Sequence, residues 1–416
     1  MDSDNFGFHK YILLQMEGII MNVKIIGVGA AGNKAAIKAV EERVVREDDI
    51  ILMNTTLQDI PMMYKGRSLL FGPKNFGGGC GKERNRSKEF ICKCFEESDG
   101  SDTFGQTIQR LLSPDDLVVI VTSTEGGTGS GSAPLLASYI SEVIGVRPQL
   151  IAFTGTEDDL RGLQNTLDFF KDCSEYCSNC IIQAISNKKF MEEAGNNKLK
   201  AEQLANTDFV SRIKVLQGSM LHESTQNIDA MDHMKLVTTA GYMSIASVTS
   251  QEAIEDVAQF NELCKKMFSS SKSLSTGSDR CVRLGIILTI SEEDKDSIDW
   301  EFTNIKNQFA EIGEVFLHVQ PSIDETRQII CVMCGMEMPI KFVNATYEKF
   351  KARMSKSAKQ TNFASTMASI DTNNSLFDFD KPATAVPKVS NSAFLQRIKN
   401  TETSKNPNDN NPLGNY

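Results

Sequence analysis

Gly126-Gly127-Thr128-Gly129-Ser130-Gly131 is the stretch whose reading decides the fold. It follows an apolar run, Leu117-Val118-Val119-Ile120-Val121, and leads into a helical pattern from Pro134 to Ile144. Consecutive backbone N–H groups in such a turn form a nest for an anion, and the dipole of the next helix adds to it. The hydroxyls of Thr128 and Ser130 are further donors to phosphate oxygens. No Gly-Lys-Ser/Thr triplet follows, which separates this turn from the Walker type.

The same grammar repeats outward from there. Val23 to Ile26 is a short apolar strand before Gly27-Val28-Gly29-Ala30-Ala31-Gly32-Asn33, and Ala31 to Val40 reads as a helix. Ile50 to Met53 is a second strand, ending at Asn54. Leu150 to Phe153 and Ile181 to Ile185 are two more, with a helical stretch from Asp158 to Tyr176 between them. Fully apolar strands alternating with helices indicate a parallel sheet covered on both faces. Right-handed crossovers then give a doubly wound α/β domain. A third run, Gly77-Gly78-Gly79-Cys80-Gly81-Lys82, also precedes a helical segment. Each such turn alone also serves close strand-to-helix packing. Together they converge on the carboxyl edge of one sheet and favour a di- or triphosphate ligand.

Gly27 to Gly32 also fits a dinucleotide fingerprint, so an NAD-dependent oxidoreductase of Rossmann type is a competing reading. That site wants an acid at the end of the second strand. Met53-Asn54-Thr55-Thr56 has none.

Beyond the parallel sheet, a long helix is expected over 199–223, with Leu204, Phe209, Ile213, Leu216 and Met220 at helical spacing. Strand signals at Val282–Ile290, Val315–Val319 and Gln328–Met333, with a helical stretch from Trp300 to Ile312, suggest a second, smaller α+β domain. The plan is an extension at 1–21, a nucleotide domain at 22–198, the helix, and an α+β domain at 224–340. The tail, 352–416, is rich in Ser, Thr, Asn and Lys and is expected to be disordered. One apolar knot near 392–399, Ala393-Phe394-Leu395 beside Arg397, is a candidate partner-binding peptide.

Composition sets outer limits. The 416 residues carry 44 Lys+Arg against 54 Asp+Glu, a net charge of -10. That balance argues against direct nucleic-acid binding, which needs a cationic footprint. No apolar stretch approaches the ~20 residues of a membrane span, and Met1 to Gly18 is not a signal-peptide pattern. Ten cysteines in so long a chain fit a reducing compartment. Cys173, Cys177 and Cys180 form a cluster, but the four His residues are scattered, so no metal site is expected.

The phosphate loop Gly127 to Gly131 and the opening Val23-Lys24-Ile25-Ile26-Gly27-Val28-Gly29 resemble the tubulin and FtsZ superfamily of polymerising GTPases, most of all bacterial FtsZ. The likeness runs from about Asn22 to Glu337. It implies that Gly29, Ala30, Ala31, Gly32 and Asn33 form the first nucleotide loop, with Asn33 near the base. Cys80, Gly81 and Lys82 would sense the γ-phosphate, and Gly126, Gly127, Thr128, Gly129, Ser130 and Gly131 would hold phosphates. Glu157 would contact the ribose and Arg161 the nucleotide, while Asn187 and Asp208 would face guanine. A carboxylate suits the guanine N1–H and amino group.

The resemblance further implies that Asn227, Asp229 and Asp232 belong to a loop completing the active site of a neighbouring subunit. As bare sequence, the same residues also read as a helix N-cap with acids in the first turn, and both roles are compatible. The implied ligands are GTP and Mg²⁺. The implied protein is a cytoplasmic homopolymer, placed at midcell in a division ring and tethered through Phe394 and Leu395. A plasmid- or phage-type tubulin filament is the alternative. Glu125 stands where the family has a small residue, Thr56 where an Asp is common, and the first loop is one Gly shorter.

Overall fold

The computed structural model describes residues 21–72, 78–96, 104–156, 159–221, 228–275, 280–358 and 389–403. All strands in them join one ten-stranded sheet, ordered β3-β2-β1-β4-β5-β6-β7-β10-β8-β9. Strands β1 (Val23–Val28), β2 (Ile50–Asn54), β3 (Ser68–Leu70), β4 (Leu117–Ser123), β5 (Gln149–Thr154) and β6 (Ile181–Ser186) pair in parallel. Strands β7 (Gly241–Ser250), β8 (Arg280–Ile290), β9 (Glu311–Pro321) and β10 (Arg327–Met336) continue the sheet. Strand β10 is antiparallel to both β7 and β8, whereas β8 and β9 are parallel. The two halves meet through Ile181–Gly241 and Ile182–Tyr242.

The central parallel strands form because their residues are apolar on both faces. Strands β2, β5 and β6 are buried along their whole length. Alternation then sends Ile26, Val118, Ile120, Leu150 and Ile182 into one core and Ile25, Val119, Val121, Ile151 and Ile181 into the other. Each such side chain contributes about 1.5–3 kcal/mol by leaving water.

Helices α1 (Gly29–Glu41), α2 (Arg84–Glu96), α3 (Phe104–Leu111), α4 (Thr128–Tyr139), α5 (Leu160–Tyr176) and α6 (Asn187–Glu193) accompany the parallel strands. A π turn, Ile140–Ile144, extends α4. Helix α7 (Lys198–Gln217) follows, with Asn197 as N-cap accepting from Lys200 N at 3.1 Å. Its 20 residues span ~30 Å. It returns the chain to the amino edge of the parallel strands, where Gln217 O accepts from Met21 N at 3.1 Å and Gln217 Nε2 donates to Val44 O at 3.0 Å. Helices α8 (Ala230–Val237), α9 (Val257–Ser270), α10 (Thr303–Lys306), α11 (Ile340–Ala358) and α12 (Asn391–Thr403) complete the described elements.

Four expectations are corrected. Helix α7 ends at Gln217 rather than near residue 223, because Gly218 adopts φ +76° and terminates it. Trp300 to Ile312 is not one helix. Phe302 sits at φ +52° with its ring buried near Phe260, leaving α10 as one turn before β9. Strand β7, in the middle of the sheet, has no counterpart in the sequence reading. Part of the expected disordered tail is helical: α11 continues to Ala358, and α12 buries Phe394 and Ile398 against the rest of the chain. Residues 359–388 and 404–416 of that tail, and 1–20, lie outside the described residues. Among the described residues no helix is long and apolar enough to cross a membrane.

Candidate functional site

The strand order reverses between β1 and β4. Helix α1 leaves β1 to pack in one core, and α4 leaves β4 to pack in the other. The two helix starts therefore diverge around a crevice at the carboxyl edge, the place where ligands bind in such sheets. Both Gly-rich turns of the sequence open onto it.

Close backbone contact is what the glycines provide. Gly29 has φ +76°, and a Cβ there would lie 3.3 Å from Gly129 N. A Cβ on Gly129 would lie 2.0 Å from Thr122 Oγ1 and 2.9 Å from Val28 O. The helices begin inside the turns: Gly29, Ala30, Ala31, Gly32 and Asn33 form the first turn of α1, and Thr128 to Gly131 that of α4. Their free N–H groups and dipoles face the crevice.

The third loop is tied to the second. Gly127 N donates to Gly81 O at 2.9 Å. Asn165, on α5 and 1% exposed, donates from Nδ2 to Lys82 O at 3.0 Å and to Glu125 O at 2.9 Å. One amide thus bridges both Gly-rich loops, a role the sequence did not reveal. Lys82 is ion-paired with Asp159, the N-cap of α5, whose Oδ1 accepts from Gly162 N at 2.8 Å. Partial burial opposes ionisation of Asp159, but the bonds from Lys82 and Gly162 prevail and hold its pKa below the ordinary value. Cys80 is buried against the hydroxyls of Thr55 and Thr128, and burial raises its thiol pKa despite those bonds. Thr55 and Thr128 hydroxyls lie 3.1 Å apart.

Other residues sit differently from expectation. Asn33 is fully buried, its Nδ2 bonding Met53 O at 3.3 Å, so it supports the end of β2 instead of reaching outward. Its Oδ1 and the buried Nδ2 of Asn54 lack hydrogen-bond partners. Ser130 is also buried, and its hydroxyl donates back to Gly126 O within its own turn rather than toward a ligand. Glu125 lies against Gly155 and Gly162, where a Cβ would come within 2.5 and 2.7 Å of its side chain. Thr56 Oγ1 accepts from Gln58 N at 3.2 Å.

Asn187 opens α6 behind its N-cap Ser186, and Arg161 lies half-buried in the first turn of α5. Asp208 is in the middle of α7, not near its start, and its Oδ2 accepts from Arg212 Nε at 2.6 Å. Glu157 and Asn227 lie outside the described residues.

Asp229 and Asp232 are not at this crevice. Asp229 caps α8, its Oδ1 accepting from Asp232 N at 2.7 Å, and Asp232 pairs with Lys235 at 2.8 Å. The far end of α8 lies over the amino edge: Gln149 Nε2, at the start of β5, donates to Val237 O at 2.9 Å, and Arg147 donates to Thr238 O at 2.9 Å. His233 Nε2 joins α8 to the end of α7 at Leu216 O, 3.1 Å. The acids and the Gly-rich loops therefore belong to opposite edges of the parallel sheet, linked by α7.

Residues 22–195 match the family model of the Tubulin/FtsZ family, GTPase domain. The chain is 26% identical over 213 residues to the cell division protein FtsZ of Mycoplasmopsis pulmonis, covering 51% of either protein. It is 22% identical over 326 residues to cell division protein FtsZ 1 of Pyrococcus furiosus, covering 77% of this chain and 82% of that one. It thus spans about half the length of the first relative and most of the second. Among solved structures, CetZ1 from Haloferax volcanii, a GDP-bound monomer, superposes with TM-score 0.60 at 19% identity, over 80% of this chain and 100% of that one. TubZ of Bacillus thuringiensis serovar israelensis, in a GTPγS-form protofilament, gives 0.67 at 14% identity, over 82% and 94%. The switch-point crevice, its three glycine turns and these likenesses agree: residues 22–195 are similar to the GTPase domain of the Tubulin/FtsZ family.

Proposed function

We propose that this chain is an FtsZ-like GTPase that stacks head to tail into cytoplasmic filaments and hydrolyses GTP at each subunit interface. The observation that carries this reading is the separation of the two half-sites. The phosphate loops sit at one edge of the sheet, and Asp229 and Asp232 at the other, with the ~30 Å of α7 between them. One molecule binds the triphosphate, and its stacked neighbour brings the acids, with Asn227 beside them. Repetition of that heterologous contact does not close and so yields a filament. Loss of the γ-phosphate then weakens the contact and gives turnover.

The chain's residues divide the chemistry. Backbone N–H groups of Gly127, Thr128 and Gly129 stabilise charge on the phosphate oxygens, Lys82 adds a cation near the γ-phosphate, and Asp229 and Asp232 orient water. Asp208 and Asn187 would face guanine, with Arg161 at the ribose side. Among the described residues no three His, Cys, Asp or Glu side chains gather as a metal cage. A Mg²⁺ bound with the nucleotide would be held by the Thr55 and Thr128 hydroxyls and would neutralise phosphate charge. The curated relatives, division proteins at 22–26% identity, favour a division ring at midcell, with the tail as tether.

The test is the Asp229→Ala/Asp232→Ala double variant. GTP binding should persist while phosphate release falls by at least ~100-fold, the scale of losing an oriented water and its polarising group. Undiminished hydrolysis would end the assignment. Depletion in the host separates a division role, read as septation arrest, from a segregating filament that leaves division intact.

A further inference from the structure

The segment that the sequence offers to an outside partner is docked on its own chain. Helix α12 lies across the end of α2 and the π turn after α4. Phe394 is 1% exposed, edge-on to Phe95 at 5.9 Å and to Tyr139 at 5.5 Å, two rings that themselves stack at 4.1 Å. Ile398 is buried beside it, and Leu395 packs on the same core. The polar rim matches as well: Lys399 meets Glu96 at 2.7 Å, Arg397 meets Glu142 at 2.6 Å and Ser138 Oγ at 2.8 Å, and Asn391 Nδ2 donates to Phe95 O at 2.9 Å. Val389 N bonds Glu142 O at 2.7 Å, so the chain enters the groove already ordered.

We propose that α12 is a latch: by filling the groove between α2 and the π turn, it withholds Phe394 and Leu395 from any outside protein that would grip the same face. This rests on the tail-partner reading above and adds its regulation. The groove has an aromatic floor and a carboxylate rim, so an outside receiver of α12 must offer the same chemistry. Phe394 cannot occupy two pockets at once. Tethering through residues 359–388 makes the docking intramolecular, at an effective concentration on the order of millimolar. If the docked form leads tenfold, an outside binder's apparent affinity drops by about tenfold.

The test needs no partner. Chymotrypsin cleavage after Phe394, followed by mass spectrometry, is compared between the full-length chain without nucleotide and a free peptide of residues 389–403. The latch predicts cleavage at least ~10-fold slower in the chain, independent of protein concentration. Glu96→Lys, at a surface position outside the cleaved segment, should speed cleavage by roughly two- to fivefold. Adding Lys399→Glu should restore the slow rate. Hydrogen exchange across 391–403 should follow the same order. Cleavage as fast as in the peptide, no response to Glu96→Lys, or protection that grows with protein concentration would each overturn the cis latch. None of these outcomes bears on whether an outside partner exists, which a direct binding screen with the tail decides separately.

Discussion

Replacing Asn165 with Leu tests whether the two phosphate loops are held as one unit before nucleotide arrives. The substitution keeps the shape of the side chain and removes both donors. Lys82 O and Glu125 O then lose partners at 3.0 and 2.9 Å at partly buried positions. A hydrogen bond is worth about 1 kcal/mol net, and a buried acceptor left bare costs about 1–3 kcal/mol. Two such acceptors therefore put about 2–6 kcal/mol at stake. The backbone bond from Gly127 to Gly81 survives, so the loops stay near one another but lose their fixed spacing. That ordering must then be restored on binding. GTP affinity should fall by about 10- to 100-fold, and GDP affinity less, because Lys82 lies in the loop assigned to the γ-phosphate. Asn165→Asp should be worse, since it sets a carboxylate against two carbonyls. Asn165→Ala should be milder, since water can enter. The assay is equilibrium binding of fluorescent GTP and GDP analogues, with melting temperature measured alongside. If Asn165→Leu binds GTP within about twofold of wild type, the bridge carries no positioning role.

Further expectations concern packing and charge. Gly129→Ala drives a methyl within 2.0 Å of Thr122 Oγ1. Overpacking of about 1–3 kcal/mol at the loop should weaken GTP binding by roughly 5- to 100-fold, and unchanged affinity would contradict the close approach. Asp172 is buried beneath Arg84 and Lys88. Burial pushes its pKa up, yet the two cations outweigh that and hold it below the ordinary value. Asp172→Ala removes the Lys88 ion pair and leaves Arg84 only Asp168 at 4.0 Å and the Ser130 carbonyl; a loss of about 3–5 kcal/mol should lower the melting temperature by on the order of 10 °C, and a shift within experimental error would refute this. His233 is buried, which lowers its pKa from 6.5, with His318 adding to the effect and the Leu216 carbonyl opposing it. The unfolded chain therefore binds a proton more readily than the folded one, so the stability it contributes is full above the unfolded pKa and declines as pH falls below it. His233→Gln should flatten the loss of melting temperature between about pH 7.5 and about pH 5.5, and an unchanged slope would remove His233 from the account.

Strands β1, β2, β4, β5 and β6 were legible because they are apolar on both faces and their turns are rich in glycine. Few residue types satisfy either constraint. The short, half-exposed edge strand β3 was not legible. Strand β7 was not, because Ser244 and Ser247 break its apolar run even though Ser244 is fully buried. The docking of α12 was not, because Phe394, Leu395 and Ile398 look the same whether they pack at home or elsewhere. Only the Phe95–Tyr139 pair, brought together by α2 and α4, decides the matter. Asn165 was invisible for a similar reason. Its two acceptors are backbone atoms 83 and 40 residues away, and no spacing rule marks them. Asn33 shows the converse. Its place beside a glycine turn suggested ligand contact, yet the tight first turn of α1 buries it under Met53.

In the proposed reading, capping and catalysis at Asp229 are one function. A carboxylate has two oxygens, and the cap uses Oδ1. The bond to Asp232 N fixes the side chain at the start of α8, while His233 fixes α8 to the end of α7. An acid meant to meet another molecule's triphosphate needs such anchoring, because a wandering side chain would surrender the orientation that makes it useful. Distance supplies the rest. Helix α7 keeps these negative charges at the opposite edge from the chain's own Gly-rich loops, so a lone subunit would bind GTP without their repulsion. Met231 and Met234, exposed beside them at 64% and 39%, form an apolar flank suited to burial by a second copy. Hydrolysis per subunit should therefore climb steeply with protein concentration, and a rate that stays constant through a wide dilution series would break this reasoning at its root.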